Sequence, residues 1–269
     1  MASTKVGIAG LGAIGRALAT RIAAGEVPGL VLGAVASGRS DAARTWLADQ
    51  AIDCPVIQLR EFPAHVDLVV ECAPAAVLPE ICRPMLEEGR RAMVLSCGAL
   101  LRHPDLIELA RDRGGQIIVP TGALLGLDAV VAAAEGVIHS VRMKTRKPPN
   151  GLAGAPYLEM NGISVQGLSE PKLVFVGTAR EAARGFPANV NVAAALSLAG
   201  IGPDRTTIEI WADPGVSRNC HSIEVDADSA RFTMSIENIP SENPKTGRIT
   251  ALSVLAALRK LHAPLRVGT

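Results

Sequence analysis

Two stretches of this chain hold residue types at spacings that could do chemistry. The first is Gly10-Leu11-Gly12-Ala13-Ile14-Gly15, a G-x-G-x-x-G run placed directly after the apolar segment Val6 to Ala9. In such a run each glycine serves a dinucleotide differently. Gly10 permits a tight turn, Gly12 lets backbone approach a pyrophosphate, and Gly15 lets helix and strand pack closely. Arg16 to Ile22 has helical character. First-turn N–H groups, those of Ala13 and Ile14 included, would then face the phosphates, where the helix dipole favours negative charge. The second stretch is Arg218-Asn219-Cys220-His221-Ser222-Ile223-Glu224-Val225. A histidine gains and loses protons near neutral pH, with an unperturbed pKa of about 6.5, which suits general acid–base work. At strand spacing Asn219, His221 and Ile223 share one face. Of the five histidines only His221 lies in a clustered polar motif; His65, His103, His139 and His262 read as structural or exposed.

The elements that must position the first stretch alternate regularly. Leu30 to Ala36 reads as the second strand and is followed by Ser37-Gly38-Arg39-Ser40. An acidic residue there would bind the adenosine ribose diol of NAD. An arginine and two hydroxyls suit a 2′-phosphate better, so Ser37 and Arg39 are candidate cofactor contacts and NADP is expected at least to be accepted. Next come a helix from Asp41 to Gln50, a poorly marked strand at Val56-Ile57 and a buried strand from Asp67 to Ala73. A helix from Ala76 to Glu88, a strand from Ala92 to Ser96, a helix from Pro104 to Arg113 and a strand from Gln116 to Val119 complete the series. Alternation of this kind predicts α/β architecture, a Rossmann doubly wound parallel sheet with helices on both faces. Ala73-Pro74 and Ser96-Cys97-Gly98-Ala99 are expected to line the cofactor crevice at the strand ends.

From about residue 123 the texture changes. A helix at Ala129 to Ala134, a strand from Val137 to Thr145, an apolar run from Lys172 to Thr178 and a small-residue helix from Val190 to Ala199 precede three extended segments. These are Thr206 to Trp211, His221 to Val225 and Ala230 to Ile236. Consecutive strands predict a second, α+β domain. At 269 residues the chain exceeds the usual single-domain size of about 100–150 residues. We therefore expect a dinucleotide-binding domain over 1–122 and a substrate and dimerisation domain over 123–245. A C-terminal helix within 246–269, with Ala251, Leu252, Leu255 and Leu258 on one face, is expected to complete the first domain.

Composition narrows the partners. A net charge of +1, with 3% aromatic residues, gives no electrostatic or stacking argument for nucleic acid or an anionic membrane. No apolar run reaches the roughly 18 residues of a membrane span. Five scattered cysteines without C-x-x-C spacing read as reduced thiols, and the first strand starts too early for a leader, so a cytoplasmic location is expected, with no metal site.

Three motifs in the second half, following G-L-G-A-I-G, are more selective than the glycines. They are T-G-A-x-x-G-L-D from Thr121, F-P-A-N-V-N-V-A-A-A-L from Phe186 and R-N-x-H-x-I-E-V from Arg218. With them the chain resembles the L-aspartate dehydrogenase family along nearly its whole length. The resemblance implies a Rossmann domain binding NAD or NADP, and an α+β domain supplying the substrate site and homodimer contacts. The implied reaction is oxidative deamination of L-aspartate through iminoaspartate to oxaloacetate and ammonia, or its reverse. By motif, His221 matches the catalytic histidine and Ala123 a cofactor contact. Asn189 or Asn191 matches another, with Asn189 favoured, and Asn219 resembles a substrate contact. A dicarboxylate also needs cations, for which Arg146, Lys147 and Arg218 are candidates. The neighbouring charges Arg218 and Glu224 are expected to push the His221 pKa in opposite directions.

Two rival readings remain at this level. Cys97, at the end of a strand, could serve as the nucleophile of an NADP-dependent semialdehyde dehydrogenase if a basic partner activates it. Alternatively the chain is a non-catalytic nucleotide-sensing binding module.

Overall fold

The structure, a computed structural model, describes residues 3–187, 190–239 and 247–268. It contains two compact units, Met1–Pro120 with Ala251–Arg266, and Thr121–Thr250 with Val267–Thr269.

In the first unit five strands form a parallel sheet: β1 (Thr4–Ala9), β2 (Leu30–Ala36), β3 (Leu68–Glu71), β4 (Arg91–Val94) and β5 (Gln116–Ile118). Their order is β2-β1-β3-β4-β5, so the chain steps from β1 to one side and then returns to the other. The carboxyl end of β1 is therefore the switch point, where open α/β sheets bind ligands. Period-two alternation sends side chains into cores on both faces. Val6, Ile8, Leu68, Val70 and Met93 join Leu18, Ile22 and Leu47 in one core. Ala9, Val69, Ala92 and Val94 join Ile81, Met85, Leu86 and Leu106 in the other. The helix Ala13–Ala23 buries Gly15, Leu18, Ala19 and Ile22, a single helical stripe.

Val56-Ile57 is not a strand. Val56 makes only an isolated bridge to Val35, because Pro55 brings no N–H to a ladder and the chain turns into a 3-10 helix at Leu59–Glu61. The helix Ile249–Lys260 contributes Val254, Leu255 and Leu258 to the first core. Leu252 is instead exposed, since it lies about 100° round the helix from Ala251 and at the rim of that stripe.

The second unit holds a mixed sheet of β6 (Ile138–Lys147), β7 (Lys172–Thr178), β8 (Thr206–Ala212), β9 (Asn219–Ala227) and β10 (Arg231–Asn238). The order is β10-β9-β6-β8-β7; only β6 and β8 are parallel neighbours among these strands. Val130 of the helix Leu127–Ala134 and Val141 of β6 both close on Gly200, so helices cover this part of the sheet. Tyr157, Phe175 and Phe186 form an aromatic cluster with centroids 5.2–5.5 Å apart. Among the described residues no helix is long and apolar enough to cross a membrane.

Trp46 lies in the first unit and Trp211 in the second, and they are the only tryptophans of the chain. Leu258→Ala in a Trp211→Phe background should lower the stability reported by Trp46 fluorescence by about 2–5 kcal/mol, the cost of emptying a buried leucine site. A urea transition unchanged from the Trp211→Phe parent would contradict that packing.

Candidate active site

Three glycines shape the turn after β1, each under a different restriction. Gly10 has φ +101°, and a Cβ there would stand 2.6 Å from the Cys72 carbonyl oxygen. A Cβ on Gly15 would collide with the Gly10 carbonyl oxygen, which draws the helix onto the strand. At Gly12 the space is open: among the described residues nothing lies within 4 Å of a built Cβ. Gly12 is also the N-cap of Ala13–Ala23, with no side-chain cap and no acidic residue in the first turn. The first-turn N–H groups of Ala13 and Ile14 thus begin an 11-residue helix beside a backbone stripped of side chains. This is the donor set a diphosphate requires.

At the end of β2, the Ser37 hydroxyl oxygen accepts from the Arg39 N–H at 3.2 Å, and Ser40 Oγ donates to the Ser37 carbonyl at 3.3 Å. This turn leaves Arg39 exposed at the start of the helix Ser40–Asp49. After β3, Ala73 and Pro74 lead into a 3-10 turn at Ala75–Val77. Glu71, which the sequence reading passed over, organises this region. Its carboxylate is fully buried and accepts from the N–H groups of Leu95 (3.1 Å) and Ser96 (2.8 Å) and from Ser96 Oγ (3.1 Å). Burial pushes its pKa up, while the hydrogen bonds from Ser96, Leu95 and Ala73 favour the charged form. The signal available was an acid inside an apolar run, Leu68-Val69-Val70-Glu71-Cys72-Ala73.

Cys97 is buried at the start of the short helix Cys97–Leu100, with its thiol donating to the Val94 carbonyl at 3.6 Å. Burial pushes that thiol up to about 12, and the charge near it is Glu71, a carboxylate rather than the base a nucleophile needs. The semialdehyde dehydrogenase reading fails on this point.

In the second unit one face of the sheet grades from apolar to polar. Register pairs Val141 with Val225, then Met143 with Ile223, then Thr145 with His221. Lys147 is two residues beyond Thr145 and Asn219 two residues before His221, so both fall on the same face. All four polar side chains are buried, His221 and Lys147 at 3% exposure each. Thr145 Oγ1 lies 3.2 Å from His221 Nδ1. Burial first, and the Lys147 cation after it, together lower the His221 pKa from 6.5 to about 3. The expected influence of Arg218 and Glu224 is therefore replaced: Glu224 alternates to the exposed face, and Arg218 is exposed with Nη1 3.7 Å from Glu237.

Strand alternation also separates two adjacent cations. Lys147 turns inward with His221, whereas Arg146 turns outward and pairs with Asp213. Asp213 is itself buried and accepts from the Gly215 N–H at 2.8 Å, so Arg146 braces a turn. Ala123 sits in the turn before Leu127–Ala134, its carbonyl accepting from Asn238 Nδ2 at 2.8 Å. Asn238, also passed over from sequence, is buried opposite Asn219 in register, and its Oδ1 has no partner among the described residues. Asn191 is the first residue of the helix Asn191–Ala199. Asn189 lies outside the described residues.

Comparison with known proteins covers both units. Residues 128–261 match the family model described as aspartate dehydrogenase, C-terminal, and residues 10–120 match that described as homoserine dehydrogenase, NAD binding domain. The chain is 62% identical to L-aspartate dehydrogenase 3 of Bordetella bronchiseptica, over 98% of this chain and 97% of that protein. It is 57% identical to the L-aspartate dehydrogenase of Bradyrhizobium diazoefficiens, over 98% and 94%. Among solved structures, aspartate dehydrogenase from Thermotoga maritima superposes with a TM-score of 0.75 at 25% identity, covering 98% of this chain and 99% of that one.

The buried, neutral His221 makes stability depend on pH. An unfolded chain protonates this ring below about pH 6.5, whereas the folded ring stays neutral down to about 3. Between those values the unfolded state binds the extra proton, so the contribution is complete above about pH 6.5 and is lost as pH falls toward 3. His221→Gln should flatten the dependence of unfolding free energy on pH in that window by at most about 1.4 kcal/mol per pH unit. Parallel curves from urea titrations of the two proteins would contradict it.

Proposed function

The chain belongs to the L-aspartate dehydrogenase family, and we propose that it catalyses NAD(P)-dependent oxidative deamination of L-aspartate. The reaction passes through iminoaspartate to oxaloacetate and ammonia, and runs in reverse as amination. One observation carries the reading: a buried histidine shares a sheet face with a buried lysine.

The bound nicotinamide cofactor supplies the hydride acceptor for the substrate Cα. Gly12, Ala13, Ile14 and Gly15 hold the diphosphate through backbone N–H groups and the helix dipole, while Gly10, whose own N–H donates to the Ala36 carbonyl at 2.8 Å, forms the turn that lets the diphosphate approach. Ser37 and Arg39 face the adenosine ribose, and the guanidinium suits a 2′-phosphate, so NADP is accepted as well as NAD. Ala73, Pro74, Cys97, Ala123 and Asn189 are further cofactor contacts, Cys97 through its place in the loop rather than through thiol chemistry.

Lys147, already buried in the free protein, binds a substrate carboxylate, an attraction strengthened by the low dielectric of the site, and Asn219 orients the substrate by hydrogen bonding. Arg218 and Arg146, on exposed positions, are secondary candidates for the other carboxylate. His221 takes the proton that the substrate ammonium must lose before hydride departs, releases it to solvent, and in the hydrolysis step takes the proton from water adding to the imine. In the free protein this ring is neutral and so free to accept a proton, although a weak base. A carboxylate about 5 Å away, at an effective dielectric of about 20, contributes about 3 kcal/mol, roughly two pKa units upward. Substrate charge thus offsets Lys147 and strengthens the base when the substrate is present. A homodimer and a cytoplasmic location complete the proposal, the first tested by light scattering of the purified protein.

Three variants test these assignments, with L-aspartate oxidation followed by absorbance of the reduced nicotinamide. His221→Ala should lower kcat by about 10²–10⁴-fold, the range for a general acid–base group, with cofactor Kd unchanged. A wild-type kcat, or a loss traced to cofactor binding, overturns the role of His221. Lys147→Met should raise the aspartate KM by at least about tenfold, the loss of a charged hydrogen bond, and leave the cofactor Kd unchanged. Arg39→Ala should weaken NADP more than NAD by about 1.5–3 kcal/mol. Equal losses for both cofactors would remove Arg39 from the 2′ position.

A further inference from the structure

We propose that Thr145 is a positioning residue for His221, its hydroxyl holding the proton on Nδ1 and leaving Nε2 as the nitrogen that meets the substrate. The inference rests on the reading of His221 as the acid–base group, and deepens it.

The geometry comes from the sheet. Thr145 on β6 and His221 on β9 are direct cross-strand partners, the arrangement in which side chains of an antiparallel pair interact. Their polar atoms stand 3.2 Å apart, with Thr145 and His221 exposed by only 4% and 3%. Branching at Cβ restricts χ1 of threonine, so the hydroxyl is held rather than left to swing. On the other side of β9, His221 is opposite Ile236, which offers the ring no polar atom.

The chemistry follows from which nitrogen carries the hydrogen. A neutral imidazole is a donor at one nitrogen and an acceptor at the other. With Oγ1 accepting from Nδ1–H, the Nε2 lone pair is free to take the substrate proton. Once it has done so, the Nδ1–H bond becomes charge-assisted and stronger, so Thr145 supports the imidazolium against burial and Lys147. A carboxylate in this place would stabilise the imidazolium before substrate arrived. A hydroxyl orients the ring yet leaves it neutral at rest, the state a base requires. The charged groups on the surrounding elements are Lys147 on the ring's own face, Lys144, Arg146 and Glu224 on the exposed side of β6 and β9, Arg218 just before β9, Glu237 on β10, and the buried Asp213 that pairs with Arg146.

The test compares Thr145→Val, which removes the hydroxyl and nearly keeps the shape, with Thr145→Ser, which keeps the hydroxyl. Both are measured in the full-length protein with saturating cofactor and L-aspartate. Thr145→Val should lower kcat about tenfold, the value of one charge-assisted hydrogen bond, and move the inflection of kcat against pH to lower pH. Thr145→Ser should restore both. Nitrogen-15 NMR of His221 in the wild-type protein should show the Nδ1–H tautomer, weakened in Thr145→Val. An unchanged kcat, pH profile and tautomer in Thr145→Val would overturn the inference. So would a wild-type ring protonated at Nε2, which decides the matter even if Thr145→Val fails to fold. A failure of the His221 reading itself is distinguishable, because His221→Ala would then keep its kcat while the tautomer still reported on Thr145.

Discussion

A sheet face that is buried must be apolar unless its polar groups satisfy one another, and the second unit depends on that constraint. Along β6 and β9 the paired residues run Val141–Val225, Met143–Ile223, Thr145–His221, the first two pairs building core and the third ending it. Polar groups at the end of such a face are costly to bury without partners. They are nevertheless placed by the same ladder that places the core, so their geometry is as rigid as the sheet. A histidine held there stays neutral chiefly because it is buried, and a lysine on the same face adds to that preference. Stability is thereby given up at low pH in exchange for a ring that is neutral at rest, the state the proposed base requires.

The first unit solves a different problem, the approach of backbone to an anion. It does so by leaving side chains out: Gly15 admits no Cβ, and Gly12 leaves its space open. An uncapped helix start follows, and its donors are free of side-chain competition. Around this cradle Glu71 ties the end of β3 to the start of the loop after β4 through Leu95 and Ser96. A buried carboxylate that accepts from several donors is held far more firmly than one surface loop holds another, since leaving those donors unmet would cost their full desolvation. The loops proposed for cofactor contact are thus anchored from beneath.

Much of this was legible in the sequence because it is local. The glycine spacing, the apolar runs of β1 to β4 and the shared face of Asn219, His221 and Ile223 depend only on neighbours along the chain. What was not legible depends on pairing between distant strands. Thr145 reaches His221 across 76 positions, and nothing near either residue announces it. Arg146 and Lys147 looked equivalent as cations; the strand's alternation separates them, sending one to Asp213 and the other to the histidine face. The same distance hides Glu71 and Asn238, whose partners lie in other segments. At Val56-Ile57 two β-branched residues suggested a strand, yet one bridge to Val35 is all that forms between Pro55 and the next turn.

The central claim is that His221 rests neutral in a dry, cationic setting and gains proton affinity from the substrate's own charge. Proton NMR of the His221 ring, titrated with and without cofactor and a non-reactive four-carbon dicarboxylate, tests it directly. The account expects a free-protein pKa well below 6.5 that rises by roughly two units in the ternary complex, and expects the rise to vanish in Lys147→Met. A ring that titrates near its ordinary value in the free protein, or one whose pKa ignores the dicarboxylate, would contradict it.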